Sequence, residues 1–246
     1  MQLCLIGYGK MGRAIEQIAL ERGHKITLVI DTQNLADLSN ENLQNCNAAI
    51  EFTMPQSAVH HIKACIDAGI PVVSGTTGWL SEKKNVEEYC RQKKGTFLYA
   101  SNFSIGVNIF FELNKKLAAL MASQGQYNIT LEEIHHTAKK DAPSGTAITL
   151  AEQIIQNNPA KTKWINECSE ESSALPIISQ RIDPAPGTHH VKYSSAIDDI
   201  EIIHTAHNRT GFALGAVLAA EFIYEKKGIF SMQDVLQILL LLFLTA

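Results

Sequence analysis

The sequence predicts a protein of the α/β class: a doubly wound parallel sheet with an inserted α+β domain whose sheet is mixed and open. Three observations carry that expectation. A strand–glycine turn–helix–strand unit opens the chain, strand and helix patterns then alternate to residue 101, and beyond it come strands of alternating polarity. At 246 residues the chain is long for one core and comfortable for two small domains.

The opening segment, "QLCLIGYGKMGRAIEQIALERGHKITLVID", begins with an apolar run over residues 2–6, suited to a strand buried on both faces. Gly7, Gly9 and Gly12 form GxGxxG ahead of the helical pattern Ile15, Ile18, Ala19. Gly7 permits a tight turn, Gly9 lets backbone approach a pyrophosphate, and Gly12 lets helix pack on strand, while the helix N-terminus offers amides to phosphate. The β-branched run 25–30 ends at Asp31, where a carboxylate accepts from a ribose hydroxyl. GxGxxG alone is a weak signal, but here strand, helix, second strand and terminal acid agree on a Rossmann-like dinucleotide site.

The alternation continues with a strand over 47–53, a helix over 55–69 stopped by Gly69, and strands over 70–74 and 95–101. Thr53, Gly75, Thr76, Thr77 and Ser101 fall at the carboxyl ends of these strands and together outline one crevice. His60 and His61 lie within the helix, expected to face solvent or pack partly, and Cys65 is expected in the core.

Composition narrows the rest. A net charge of -4 argues against a nucleic-acid binder. Five scattered cysteines without a CxxC pair read as reduced thiols in a cytoplasmic protein. The N-terminus enters a strand at once, so no secretory signal is expected. The apolar tail 235–246 is too short for a bilayer, which needs about 20 residues, and is expected to be a packed C-terminal helix. No membrane partner is expected.

In the second half a helix runs from about 109 to Met121, a strand spans 127–136, and Ser144 caps a helix over 145–157. Residues 158–190 are polar, proline-bearing and without clear periodicity. Two antiparallel strands follow at 189–195 and 199–207, and a closing helix over 212–228 is stopped by Gly228. The expected boundaries are 1–104 with 210–246 for the dinucleotide-binding domain, and 105–209 for a substrate-binding and oligomerisation domain.

The densest chemistry lies in "EEIHHTAKKDAPSGTAI", residues 132–148. His135 and His136 end a strand, Lys139 and Lys140 occupy a loop, and Gly145 and Thr146 begin a helix. Helix amides suit a carboxylate, lysine adds a point charge for the same anion, and histidine supplies a proton near neutral pH. That set fits a small dicarboxylate undergoing reduction and protonation. The same residues would also serve an ordinary loop, with Asp141 as turn residue and Ser144 as cap. No metal is expected, because no third ligand stands at a recognisable spacing.

At these residues the sequence resembles the dihydrodipicolinate reductase family. "GYGKMGR", "EFT", "GTTGW", "SNFSIGVN", "PGTHHV" and "HNRTGFALGAV" fall in that family's order, and the HHxxKxDAPSGTA block is highly specific. The resemblance implies NAD(P)H-dependent reduction of 4-hydroxy-tetrahydrodipicolinate or dihydrodipicolinate to tetrahydrodipicolinate, in lysine and diaminopimelate biosynthesis. It implies His135 as proton donor with Lys139 as its partner, and His136, Gly145 and Thr146 on the substrate carboxylates. It places NAD(P)H on Gly7, Tyr8, Gly9, Lys10, Met11 and Gly12, on Gly75, Thr76 and Thr77, and on Ser101, Asn102, Phe103 and Ser104. It also implies a homotetramer joined through its sheets, and two domains that close by a hinge.

The chain departs from the family pattern in a glycine loop one residue shorter than the commoner form. It also departs in Glu51 where aspartate is usual, and in Thr32 where many members carry arginine. Thr32, Gln33 and Asn34 offer no cation for a 2′-phosphate, so a modest preference for NADH over NADPH is expected. Two rivals are an aspartate or homoserine dehydrogenase-like reductase, disfavoured by the HHxxKxDAPSGT block, and a nucleotide sensor, which need not keep a proton donor.

Overall fold

The computed structural model describes residues 1–169 and 171–237, which fall into two compact units: Met1–Ile105 with the chain from Arg209 onward, and Gly106–Asn208. In chain order the first contains β1 (Gln2–Ile6), α1 (Lys10–Glu21), β2 (Lys25–Ile30), the one-turn α2 (Asn40–Leu43), β3 (Ala48–Glu51), α3 (Pro55–Asp67), β4 (Val72–Ser74), α4 (Lys83–Gln92) and β5 (Thr96–Tyr99). The second runs through most of α5 (Ile105–Met121), then β6 (Asn128–His135), α6 (Gly145–Asn157), β7 (Lys163–Ile165), β8 (Ala174–Arg181), β9 (Gly187–Ser194) and β10 (Asp199–Ala206). The chain returns to the first unit with α7 (Thr210–Ile223) and β11 (Gly228–Phe230).

The first unit is a parallel six-stranded sheet in the order β11-β5-β4-β3-β1-β2. Its central strands are mostly apolar because both of their faces are covered, while edge strand β2 is partly exposed. Leu3 and Leu5 point into a core built with Ile15 and Ala19 of α1 and the alanine-rich face of α7. The alternate residues Cys4 and Ile6 point into the opposite core, against Ala58, Ile62 and Cys65 of α3 and Val86 and Cys90 of α4. Full burial of each large aliphatic side chain contributes roughly 1.5–3 kcal/mol. α3 stops as expected: Gly69 takes φ +76, and the Ile70 amide donates back to the Cys65 carbonyl.

The second unit is a mixed sheet in the order β10-β9-β6-β8-β7, with β9 antiparallel to both of its neighbours and β6 parallel to β8. One face packs on Phe110, Ala118 and Met121 of α5 and on Ala147, Leu150, Ala151 and Ile154 of α6. β6 alternates strictly, with Ile129, Leu131, Glu133 and His135 all buried on the inner side. Two ionisable side chains thus continue a core face.

Several expectations are corrected. The segment 158–190 holds β7 and the eight-residue β8; proline and polar residues hid a strand whose first half, Ala174–Ile177, is buried. The closing helix ends at Ile223, not 228: Glu225 turns at φ +66, and Gly228 begins β11, paired with β5. The strand expected over 47–53 is confined to Ala48–Glu51, because the chain leaves the sheet to build the Thr53 turn. Of the two alternatives for His61, packing holds and goes further than expected: it is 4% exposed, with Nδ1 3.3 Å from Thr53 Oγ1. Cys4, Cys46, Cys65 and Cys90 are free and buried, and Cys168 is free and exposed. Of the apolar tail, residues 235–237 are helical, with Val235 and Leu236 buried, and the rest lies outside the described residues. No helix among the described residues is long and apolar enough to cross a membrane.

Candidate active site

Within the first unit, the residues expected to hold a nucleotide cap adjacent strand ends. In spatial order Ser101–Ser104 follows β5, Gly75–Thr77 follows β4, Thr53 follows β3, Gly7–Gly12 follows β1 and Asp31 follows β2. Five neighbouring strands at about 4.8 Å spacing span roughly 19 Å, a row suited to an extended dinucleotide. The chain reverses its winding direction at β1, the usual place for such a crevice.

The glycine turn fits a dinucleotide phosphate. A Cβ at Gly7 would lie 2.0 Å from the Phe52 carbonyl oxygen, and one at Gly12 2.2 Å from the Gly7 carbonyl oxygen, so both positions are closed to side chains. At Gly9, the residue capping α1, nothing lies within 4 Å of the Cβ position. Backbone there is open to a close-approaching ligand. Lys10 is exposed at the first position of α1. Tyr8 and Met11 pack partly on the core, and the Tyr8 hydroxyl donates to Glu16. Asp31 is exposed and one carboxylate oxygen already accepts from the Thr32 amide and hydroxyl, so a ribose would share it.

Two further expected residues prove to serve the fold through their side chains. The fully buried Glu51 accepts from the Thr53 amide (3.0 Å) and hydroxyl (2.5 Å), from Ser74 (2.5 Å) and from Thr76 (2.6 Å). A desolvated carboxylate requires such partners. They tie together the ends of β3 and β4 and the start of the Gly75–Thr77 loop, leaving Thr77 exposed. Phe103 is also core, its ring 5.5 Å from Phe52, while the Ser104 amide donates to Asn102.

In the second unit the sheet register assembles a polar cluster. Glu133 pairs across β6 with His189 of β9 and Ser179 of β8, and His135 pairs with Arg181. Glu133 is 0% exposed, yet it receives the Ser144 amide at 3.1 Å and Arg181 Nη2 at 3.0 Å, with His135 Nδ1 3.2 Å from its Oε2. His135 and His189 stand edge to face at 5.1 Å, and His189 Nε2 lies 3.1 Å from the Ser144 hydroxyl. Ser144 caps α6 as expected, accepting from the Ala147 amide. Gly145 is exposed and Thr146 half-buried at the head of that helix.

The loop between β6 and α6 is clamped at both ends. Thr137 donates its amide and hydroxyl to Asp183 beside half-buried His136, while Arg181 donates to the Asp141 carbonyl. Lys139 reaches the Asp141 carboxylate at 2.7 Å, whereas Lys140 is exposed. An anion arriving at Lys139 would therefore compete with Asp141.

The electrostatics of the cluster predict acid lability. Burial, with His135 nearby, pushes His189 down to about 3, so its neutral form is favoured. Burial alone would raise Glu133, but contacts from His135, Ser144, Ser179 and Arg181 outweigh it and hold the carboxyl well below its usual range. Below pH 6.5, the ordinary value for histidine, the unfolded chain binds the proton His189 refuses, so stability falls between 6.5 and 3. Glu133 adds stability present above its ordinary 4.5 and lost as pH falls through its folded value. His189→Gln should remove up to ~1.4 kcal/mol per pH unit of slope in that upper window. Urea unfolding across pH checks this; an unchanged slope would acquit His189.

The expectation that no third metal ligand exists is corrected in space. Glu133, His135 and His189 offer ligand atoms within 4.8 Å of one another. Sequence spacing missed this because His189 comes from β9. The carboxylate is already bonded to a guanidinium and an amide, so the cluster's cation is Arg181 and the donor set does not favour a metal ion. Glu133, Arg181 and His189 join the candidate cluster although no motif position singles them out, and Ser144, expected as the cap of α6, also donates its amide to Glu133. The phase of Ile129 and Leu131 along β6 was the available signal for Glu133.

A nucleotide-type parallel sheet carried with a mixed-sheet unit rich in proton-bearing groups defines an oxidoreductase of the two-domain reductase class. Comparison with known proteins makes this specific. The signature "Dihydrodipicolinate reductase, N-terminus" matches residues 1–103 and "Dihydrodipicolinate reductase, C-terminus" matches residues 106–236. The 4-hydroxy-tetrahydrodipicolinate reductase of Christiangramia forsetii is 49% identical over 239 residues, 96% of this chain and 98% of its own. That of Chromobacterium violaceum is 35% identical, covering 79% of this chain and 74% of its own. A dipicolinate-bound dihydrodipicolinate reductase from Paenisporosarcina sp. TG-14 shares the fold, with a TM-score of 0.74 at 23% identity over 94% of this chain and 97% of that one. The chain belongs to the dihydrodipicolinate reductase family, whose reductant is NAD(P)H.

Proposed function

We propose that this chain reduces the cyclic, conjugated imine dicarboxylate formed from 4-hydroxy-tetrahydrodipicolinate to tetrahydrodipicolinate, with His135 and Lys139 managing the proton. The observation that carries the reading is the single strand–loop–helix unit 133–146. It combines a buried, oriented imidazole, a loop ammonium and a helix N-terminus. NAD(P)H, when bound, supplies a hydride to C4 of the substrate. Electron density moves through the conjugated system onto the ring as an enamine, and His135, assisted by Lys139, protonates C3. His136, Gly145 and Thr146 hold the carboxylates, and this cationic pocket favours the charge that develops during transfer. Gly7–Gly12 and Asp31 carry the nucleotide's phosphates and ribose, with the Gly75–Thr77 and Ser101–Ser104 segments along the rest of it.

Purified protein given synthase-generated substrate should oxidise NADH steadily, with dipicolinate competing against the substrate. Absence of substrate-dependent oxidation with either reductant would reject the reading. We place the enzyme in the cytoplasm as a homotetramer, which the four buried free thiols and the exposed Ile200 and Ile203 on edge strand β10 support.

Lys139→Ala should lower kcat/KM tenfold or more, the worth of a charge-assisted contact of about 1.5–3 kcal/mol, with Lys140→Ala as control. A larger loss at Lys140 would shift the register of the motif by one residue.

The reductant preference follows from Asp31. The 2′-phosphate of NADPH would bring about two negative charges beside this carboxylate, and residues 32–34 supply no cation. NADH should be preferred modestly in kcat/KM, and Asp31→Ala should narrow or reverse that preference. A tenfold preference of the unmodified enzyme for NADPH would remove Asp31 as the determinant.

A further inference from the structure

We infer that Glu133 is a positioning residue for proton delivery: it holds the His135 ring with Nδ1 toward its carboxylate, so that Nε2 is the nitrogen that hands the proton to substrate. The inference rests on His135 being the donor. The His135 ring has distinct neighbours on its two nitrogens. Nδ1 is buried and 3.2 Å from Glu133 Oε2, at an angle outside hydrogen-bond geometry, and it has no hydrogen-bond partner in this structure. Nε2 faces Gly187, where a Cβ would stand 3.1 Å away. Contacts of catalytic groups are often misaligned before substrate binds and tighten in the complex. The partner of one imidazole nitrogen decides which nitrogen carries the transferable proton.

Glu133 is itself immobilised. The Ser144 amide and Arg181 fix both carboxylate oxygens, and His189 packs edge-on against the ring from the neighbouring strand. The carboxylate thus orients the donor without touching substrate, while Gly187 keeps the delivering edge clear.

The test uses the intact enzyme. Glu133→Gln preserves volume and an accepting oxygen, and should lower kcat about 10–100-fold with KM within roughly threefold, as for partners that orient a functional histidine. Proton delivery should then limit turnover, so the solvent deuterium isotope effect on kcat should rise above that of the unmodified enzyme. Combined with His135→Ala, Glu133→Gln should cost nothing further. Full turnover in Glu133→Gln alongside a crippled His135→Ala would overturn this inference alone, as would reduced turnover with an unchanged isotope effect and lost dipicolinate binding. Full turnover in His135→Ala would instead overturn the assignment of the donor.

Discussion

His135→Ala should lower kcat by ~10²–10⁴-fold, the usual worth of a general acid, while leaving nucleotide affinity nearly unchanged. The separation is expected because His135 belongs to the mixed-sheet unit, whereas the glycine turn and Asp31 belong to the parallel-sheet unit. The imidazole is 8% exposed on the inner face of β6, so alanine leaves a small cavity as well as removing the proton. Thermal unfolding and dipicolinate titration distinguish the two effects: a folded variant that still binds dipicolinate but turns over slowly has lost the donor. Turnover within a factor of three of the unmodified enzyme would remove His135 from the chemistry.

The second large effect is expected at Glu51. Alanine there strips the Glu51 acceptor from three hydroxyls, two of which, on Ser74 and Thr76, are buried, while the Thr53 amide keeps the Thr76 hydroxyl oxygen at 2.7 Å. Unmade buried hydrogen bonds cost about 1–3 kcal/mol each, but hydroxyls re-pair in part, so a net loss of about 3 kcal/mol is expected. For a chain of this length that lowers Tm by roughly 6–12 °C. NADH binding should weaken several-fold, because Thr53 and the Gly75–Thr77 loop lose their common anchor. Glu51→Gln, which keeps an acceptor, should lose less on both measures. A Tm within a degree of the unmodified protein in Glu51→Ala would show that the network adds nothing to stability.

Much of the parallel-sheet unit was legible because its signals are local. The glycines of residues 7–12 impose the turn, and apolar runs mark strands buried on both faces. What was missed depends on partners distant in sequence. β11 is three residues long and exists through its pairing with β5, so 212–228 reads as continuous helix until Glu225 breaks it. β8 reads as irregular because its second half, Ile178–Arg181, is only partly buried.

The candidate site divides in the same way. The motif 135–146 announces its donors, cations and helix cap, but its supports come from other strands. Arg181 and His189 reach Glu133 through the β6–β8 and β6–β9 registers, which no spacing in the sequence encodes. Thr53 and Thr76 were legible as strand-end residues, while the commitment of their hydroxyls to Glu51 required the fold.

The most direct test of the central claim is the fate of the hydride. The unmodified enzyme should be given synthase-generated substrate and NADH deuterated at its transferable position, and the product analysed by mass spectrometry and NMR. Direct hydride transfer predicts one deuterium, at C4 of tetrahydrodipicolinate, for each NADH oxidised. NADH oxidation that leaves no deuterium at C4 would contradict it.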